Sequence, residues 1–234
     1  MEQPFIEETA IRQQTLVELA DLITSIMQTH PVRVAIDGID ASGKSSLAEE
    51  LANIISSRGR DVIRASCDGF HHPRSIRYRQ GRSSPRGYYE DSFDNESIIS
   101  SLLHPLGPGG DLRYRCQTFD YKINREQLGS LKLATNEDIL LFDGVFLMRP
   151  ELRIYWDFMI FVDAPFEVAL DRAASRDEVI LGQEADVRRM YSERYFPGQH
   201  IYLEECHPRQ NTNVIFKNEA VDQPTLNLNQ NDLR

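Results

Sequence analysis

The chain is short of cysteine, of basic charge and of long apolar runs, and each shortage removes a class of protein. Cys67, Cys116 and Cys206 are its three cysteines in 234 residues. They are scattered, odd in number and form no C-x-x-C pair, so no disulfide framework is expected and a reducing compartment suits them. Lys and Arg number 26 against 36 Asp and Glu, a formal net charge of −10. A general binder of nucleic acid or of anionic membranes would be basic, so neither partner is expected. No apolar run reaches the length of a membrane span. The opening Met1-Glu2-Gln3-Pro4 lacks the basic-then-apolar pattern of a secretory signal, and the cytoplasm is the expected location. There is no internal repeat and no low-complexity segment. What remains is enough chain for one large α/β domain or two small ones, with 41% hydrophobic residues to build a core.

One stretch organises the rest. Gly38-Ile39-Asp40-Ala41-Ser42-Gly43-Lys44-Ser45 fits G-x-x-x-x-G-K-[ST], the phosphate-binding loop. The β-prone run Val32, Val34, Ala35, Ile36 precedes it. Ser46-Leu47-Ala48-Glu49-Glu50-Leu51-Ala52 follows as a helix, with Leu47 and Leu51 one turn apart. Gly38 and Gly43 allow the backbone to approach phosphates closely. The loop amides and the helix N-terminus, from Gly38 through Ser46, present a positive field to an anion. Lys44 adds a point charge for the β- and γ-phosphates, and Ser45 a hydroxyl for Mg²⁺. ATP and Mg²⁺ are the implied cofactors.

Ahead of the loop, Leu16, Leu19, Ile23 and Ile26 recur at helical spacing, so residues 1–31 hold an amphipathic helix ended by His30-Pro31. After it, Gly59 caps the helix and Asp61 to Ser66 reads as a second strand, completing a βαβ unit with a right-handed crossover. That strand runs into Asp68-Gly69. Ligands bind beyond the carboxyl ends of parallel strands, so Asp68 falls near the loop; an ordinary Asp-Gly turn fits the same residues. His71 and His72 follow with no third ligand at metal spacing. Residues 74–93 interleave Arg74, Arg77, Arg79, Arg82 and Arg86 with Tyr78, Tyr88 and Tyr89. Such a stretch either grips an anionic ligand or is a solvated loop. Asp94 opens a helix to about Leu103 as its N-cap.

Leu112 to Phe119 alternates like a strand or hairpin arm, with Arg113 and Arg115 on one face. Asp138 to Asp143 is a continuous apolar run ending in a carboxylate, the pattern of a Walker B strand, and Asp143 is the candidate second Mg²⁺ residue; a turn is again the alternative. Phe158 to Asp163 is another buried strand. Pro165 then starts a helix carrying Arg172 and Arg176 on one face, where they reach a transferring phosphate or pair on the surface. A charged helical stretch through Arg194 is expected to break at Pro197-Gly198. Asn213 to Phe216 is expected as the last strand, and the tail after Gln223 as frayed.

These motifs, taken in order, resemble the uridine kinase and phosphoribulokinase family. The phosphate loop, Asp68-Gly69-Phe70-His71, Phe93-Asp94-Asn95-Glu96, Phe119-Asp120, Phe142-Asp143-Gly144, Arg172 to Asp177 and Arg194-Tyr195-Phe196-Pro197-Gly198-Gln199 carry the likeness, over roughly residues 32–218. The resemblance implies a P-loop NTPase fold, a three-layer α/β/α sandwich on a five-stranded parallel sheet. It implies a kinase domain over 32–218 with a lid at 177–200, and a tail over 219–234. The implied reaction moves the γ-phosphoryl of ATP to a hydroxyl of a small molecule, most simply a nucleoside such as uridine. Asp68 maps to the family's catalytic aspartate, Asp143 to its Walker B position, and Arg172 and Arg176 to its lid arginines. His72, Tyr88, Asp91, Phe119 and Asn124 fall at the expected acceptor side. Phe119 and Asn124 stand where nucleoside-specific members have a tyrosine and a histidine, and many members have Glu at the Walker B position. The rival acceptors are pantothenate, glycerate or a sugar. The rival class is a nucleotide-binding sensor without turnover; a GTPase switch would carry an Asn-Lys-x-Asp motif, which is missing.

Overall fold

A computed structural model describes residues 3–181 and 183–229. Its frame is a six-stranded sheet of β1 (Val32–Gly38), β2 (Val62–Ser66), β3 (Ile139–Asp143), β4 (Phe158–Asp163), β5 (Val214–Lys217) and β6 (Thr225–Leu228), in the order β6-β5-β4-β1-β3-β2. The first five are parallel, as the alternation of strands with crossovers requires. The sixth pairs antiparallel with β5, so the segment after Gln223 expected to fray is an edge strand instead. The N-terminal helix α1 spans Gln3–Thr24, and α2 spans Lys44–Ser57.

Both faces of the sheet are covered, which explains its unbroken apolar runs. Alternate residues part to opposite sides. Val34, Ile36, Ile139 and Leu141 pack with Leu16, Leu19 and Ile23 of α1 and with Leu47 and Leu51 of α2. Ala35, Leu140 and Phe142 pack on the other side with Leu102, Trp156 and Tyr202. The register brings the strand ends level. Ile36 and Ser66 both align with Asp143, and Gly38 aligns with Val162.

Three further expectations are corrected. The 74–93 stretch is not a loop: it contains the turn Arg74–Arg77 and helix α3 (Pro85–Asp91), with Arg77, Tyr88, Tyr89 and Asp91 buried. The expected strand from Leu112 is two separate two-residue ladders, Arg113–Tyr114 with Lys132–Leu133 and Phe119–Asp120 with Arg125–Glu126. The chain does not break at Pro197. Helix α4 (Phe166–Leu181) is followed by α5 (Glu184–Met190), a π turn at Tyr191–Tyr195 and α6 (Phe196–Cys206). A proline in a helix interior loses a bond and crowds the preceding turn. Here it stands at the first turn of α6, and the wider π turn ahead of it supplies the room. Of the segments read from the sequence, residues 1–2, 182 and 230–234 lie outside the described ones.

Candidate active site

The strand ends of β1, β2 and β3 and the helices after β4 surround a cleft of about 410 Å³. Its floor is the loop between β1 and α2. Gly43 takes φ 102°, left-handed backbone, and a Cβ there would lie 2.4 Å from Asn218 Nδ2. A Cβ on Gly38 would lie 2.5 Å from the Val162 carbonyl oxygen of β4. The glycines are therefore demanded by β4 and by Asn218, which stands just beyond β5. Lys44 Nζ donates to the Ile39 carbonyl at 2.7 Å, folding the ammonium across the loop mouth. Ser45 and Ser46 are exposed at the first turn of α2.

Asp143, 4% exposed, closes the end of β3. Ser45 Oγ donates to its Oδ2 at 2.7 Å, and Arg64 Nη2 to its Oδ1 at 3.0 Å. The hydroxyl and the carboxylate are hard oxygen donors of the kind Mg²⁺ takes, and they stand together where loop phosphates would lie. The donor set fits that ion. Among the described residues no three His, Cys, Asp or Glu side chains gather as a metal site of their own.

Asp68 stands two residues beyond β2, in the turn Cys67–Phe70, with its backbone N–H donating to Ser66 Oγ. Its side chain is 64% exposed, opening into the cleft. The surrounding walls push its carboxyl up. The hydrogen bond and charge of His71 outweigh them, helped by Lys44 and Arg176, so the carboxyl titrates below its ordinary value. His71 Nε2 lies 3.5 Å from Asp68 Oδ1, and His71 Nδ1 lies 3.0 Å from the Ser92 carbonyl oxygen. Phe93 and Tyr121 hold the imidazole between them, at centroid distances of 4.6 and 4.7 Å.

Two more acids stand at the loop and the strand that leads into it. Tyr88 Oη donates to Asp40 Oδ2 at 2.6 Å, and Gln199 Nε2 donates to the same oxygen at 2.5 Å. Burial raises the Asp40 carboxyl, with Lys44 and the Tyr88 bond pulling it back. Asp37, fully buried at the end of β1, accepts from Tyr202 Oη of α6 and from Leu147 N–H. Burial pushes it up to about 6, against the Tyr202 bond and Lys44.

The structure sorts the residues read from sequence. Lys44, Ser45, Asp40, Ala41, Asp68, Asp143, Tyr88 and Arg176 line one cleft. Arg172 does not: Nη1 donates to the Ser42 carbonyl at 3.4 Å, and Nη2 to the carbonyls of Asn218 and Glu219 at 2.9 and 3.0 Å. Arg176 Nη2 donates to Tyr191 Oη at 3.2 Å. Asp91 is buried beneath Arg79 and Gln80. Asn124 Oδ1 accepts from Arg74 N–H at 2.8 Å, tying the hairpin to the Arg74–Arg77 turn. Phe119 is buried in its ladder, and the His72 N–H bonds the Ser92 carbonyl. None of these last four lines the cleft. Sequence reasoning missed Arg77, Tyr121, Tyr191 and Tyr195 as lining residues, though the Arg and Tyr interleaving of 74–93 was a signal for the first. It also missed Asn218, whose Nδ2 donates to the Ser42 carbonyl at 2.7 Å and fixes the loop from outside.

The model of the "Phosphoribulokinase / Uridine kinase family" matches residues 34–221. A uridine-cytidine kinase B of Dictyostelium discoideum is 28% identical over 149 residues, 63% of this chain and 59% of that protein. The match thus spans less than two thirds of that relative. A uridine kinase of Leuconostoc citreum is 24% identical over 215 residues, covering 88% of this chain and all of that one. Among solved structures, that of a possible uridine kinase from Bacillus stearothermophilus superposes with a TM-score of 0.69 at 22% identity, over 87% of this chain and 97% of that one, a likeness of fold.

Proposed function

This chain belongs to the phosphoribulokinase / uridine kinase family, and we propose that it moves the γ-phosphoryl of ATP onto a hydroxyl of a small acceptor. Membership makes it a phosphotransferase with a hydroxyl as acceptor. ATP as donor, Mg²⁺ as cofactor and the roles of single residues are our reading. The observation that carries it is the meeting of Lys44, Ser45, Asp143 and Asp68 around one cleft.

Phosphoryl transfer asks a protein mainly for positioning and for charge where charge develops. The amides of Gly38 to Ser46 and the Lys44 ammonium hold the phosphates; Lys44 leaves the Ile39 carbonyl to do so. Ser45 and Asp143 would hold Mg²⁺, which supplies neutralisation of phosphate charge when bound. Asp68 orients the acceptor hydroxyl and takes its proton. The new bond joins that oxygen to the γ-phosphorus, the bond to the β-phosphate oxygen breaks, and ADP leaves. Arg176 faces the cleft and balances charge in transfer. Arg172 acts one step back, by fixing the loop backbone at Ser42. Residues 177–200 act as a lid that excludes water. The cytoplasm is the compartment that fits three scattered cysteines.

The relatives' names favour a nucleoside such as uridine as acceptor, and Tyr88 offers a ring beside the cleft. A second reading, with pantothenate, glycerate or a sugar derivative, is favoured by the cationic wall at Arg77. A catalytically silent sensor is the rival outside the enzyme class. Incubation with ATP, Mg²⁺ and a panel of nucleosides, pantothenate, glycerate and pentose phosphates tests the proposal. ADP and a phosphorylated acceptor are expected, lost in Lys44→Ala. ATP binding with no product from any acceptor would contradict it.

A further inference from the structure

We propose that the acceptor carries an anionic group, a carboxylate or a phosphate, besides the hydroxyl that is phosphorylated, and that Arg77 is the residue that binds it. The inference rests on the phosphoryl-transfer reading and narrows its acceptor.

Arg77 is 8% exposed and lines the cleft. Among the described residues its side chain makes no ion pair and donates no hydrogen bond, and its buried Nε has no partner. Arginine cannot shed its proton in a protein, so burial does not neutralise it as it would a lysine or a carboxyl. Its surroundings compensate only in part: Tyr78 and Tyr195 favour the charge, and burial outweighs them. The guanidinium carbon lies 5.5 Å from the centre of the Tyr78 ring, a weak offset. Arg74 and Arg194 are like charges that add to the cost of burial. The other acids of the cleft are already engaged. Asp143 accepts from Ser45 and Arg64, Asp40 from Tyr88 and Gln199, and Asp68 faces His71.

Arg194, 3% exposed and close by, is equally buried, but it donates to the carbonyls of Gly81, Arg82, Ser84 and Arg77. It is a structural strut. Arg77 is the buried cation whose donors are unspent and turned to the cleft. Native structures rarely leave a buried charge uncompensated, and a fork of five N–H donors matches a carboxylate or phosphate oxygen pair.

The element carrying Arg77 belongs to the acceptor side. The Arg74–Arg77 turn follows Asp68 by way of His71-His72-Pro73, and its first N–H is held by Asn124 of the hairpin. The triphosphate side is served by Lys44 and the loop amides. An acceptor reaching from Asp68 toward Arg77 would thus present its hydroxyl at one end and its anion at the other. A neutral nucleoside would leave the guanidinium buried and unpaired.

The test uses the full chain with ATP and Mg²⁺ and matched acceptor pairs: D-glycerate against glycerol, pantothenate against pantothenyl alcohol, and pentose phosphates against the free pentoses. Uridine serves as the neutral nucleoside. Product is read by ³¹P NMR, and binding by the shift of Tm with a non-hydrolysable ATP analogue. One anionic acceptor is expected to beat its neutral partner in kcat/KM. Arg77→Gln should then lose on the order of 10- to 100-fold, the scale of a charge-assisted bond, through the acceptor KM with the ATP KM unchanged. Arg77→Lys should recover part of that. Without ligand, Arg77→Met should raise Tm, because removing an uncompensated buried charge relieves the fold. The carboxylate and phosphate arms tell which anion is meant. A neutral acceptor used best and untouched by Arg77→Gln would overturn the proposal while leaving phosphoryl transfer intact. So would a rise in the ATP KM alone, which would assign the guanidinium to the triphosphate. An anion that raises Tm only when Arg77 is present, with no ADP formed, would support the anion site and contradict the kinase reading.

Discussion

Ser45 Oγ donates to Asp143 Oδ2 at 2.7 Å, joining two residues 98 positions apart in sequence. The first is the second residue of α2 and the second is the last of β3, so the bond reports the register of β1 against β3. It also makes a specific demand. If both oxygens serve Mg²⁺, Asp143→Asn should raise the Mg²⁺ concentration for half-maximal rate at least tenfold, roughly the effect of losing a charged ligand on binding. Ser45→Ala should act the same way and more weakly. Titration of the rate with Mg²⁺ at saturating ATP reads this, and an unchanged midpoint in Asp143→Asn would remove the metal role.

The lid proposed at 177–200 is tested by hydrogen exchange. Val187, Tyr191 and Phe196 pack on Ile39 and Ala41 of the phosphate loop, so filling the loop should be felt by α5 and α6. Exchange in peptides from 183 to 200 should slow when ATP analogue and acceptor are both bound, and less with either alone. Identical exchange in all four states would contradict a closing lid.

Much of this arrangement was legible in the sequence because strong local signals carried it. The phosphate loop has four fixed positions, and β3 and β4 are apolar on both faces, which only a sheet covered on both sides requires. Asp94 caps its helix as read, accepting from Ser97 N–H at 3.0 Å. Most of the failures share a cause: the partner lay far along the chain. Thr225-Leu226-Asn227-Leu228 alternates over only four residues, too short a run to read as a strand by itself, and its partner strand β5 is what orders it. Arg172 has the right spacing for a phosphate contact, but spends its donors on carbonyls 46 and 47 residues away. Pro197 signals a break in sequence, and only the π turn before it makes the helix continue. The surroundings of Arg77 include Tyr195 and Arg194, which come from far along the chain, and no local pattern encodes that meeting.

The buried pair Asp37 and Tyr202 ties stability to pH. The Asp37 carboxyl is raised from 3.8 to about 6 in the fold. The folded state therefore binds more protons than the unfolded one between those values, and this group's contribution falls as pH rises through that window. About 2 pH units correspond to about 3 kcal/mol by pH 7, as an upper figure. Tyr202→Phe removes the donor that holds the ionised form, and leaves the Met148 N–H without its acceptor at every pH. The variant should lose about 1–3 kcal/mol, and more at pH 7 than at pH 5. Urea unfolding of both proteins at the two pH values measures the difference; an equal loss at both would mean that Asp37 does not titrate there.

The most direct measurement is the turnover of Asp68→Asn with the acceptor found in the panel. Asparagine keeps the size and the turn but has neither charge nor basicity. General-base help is typically worth a factor of about 10² to 10⁴, so kcat should fall by that much while the Kd of ATP, set by the loop, stays within about twofold of the parent. His71→Ala should be milder and should move the acidic limb of the kcat profile to higher pH, because the bond that lowers the Asp68 carboxyl is lost. Turnover of Asp68→Asn at the parent rate would make Asp68 a turn residue and contradict the mechanism.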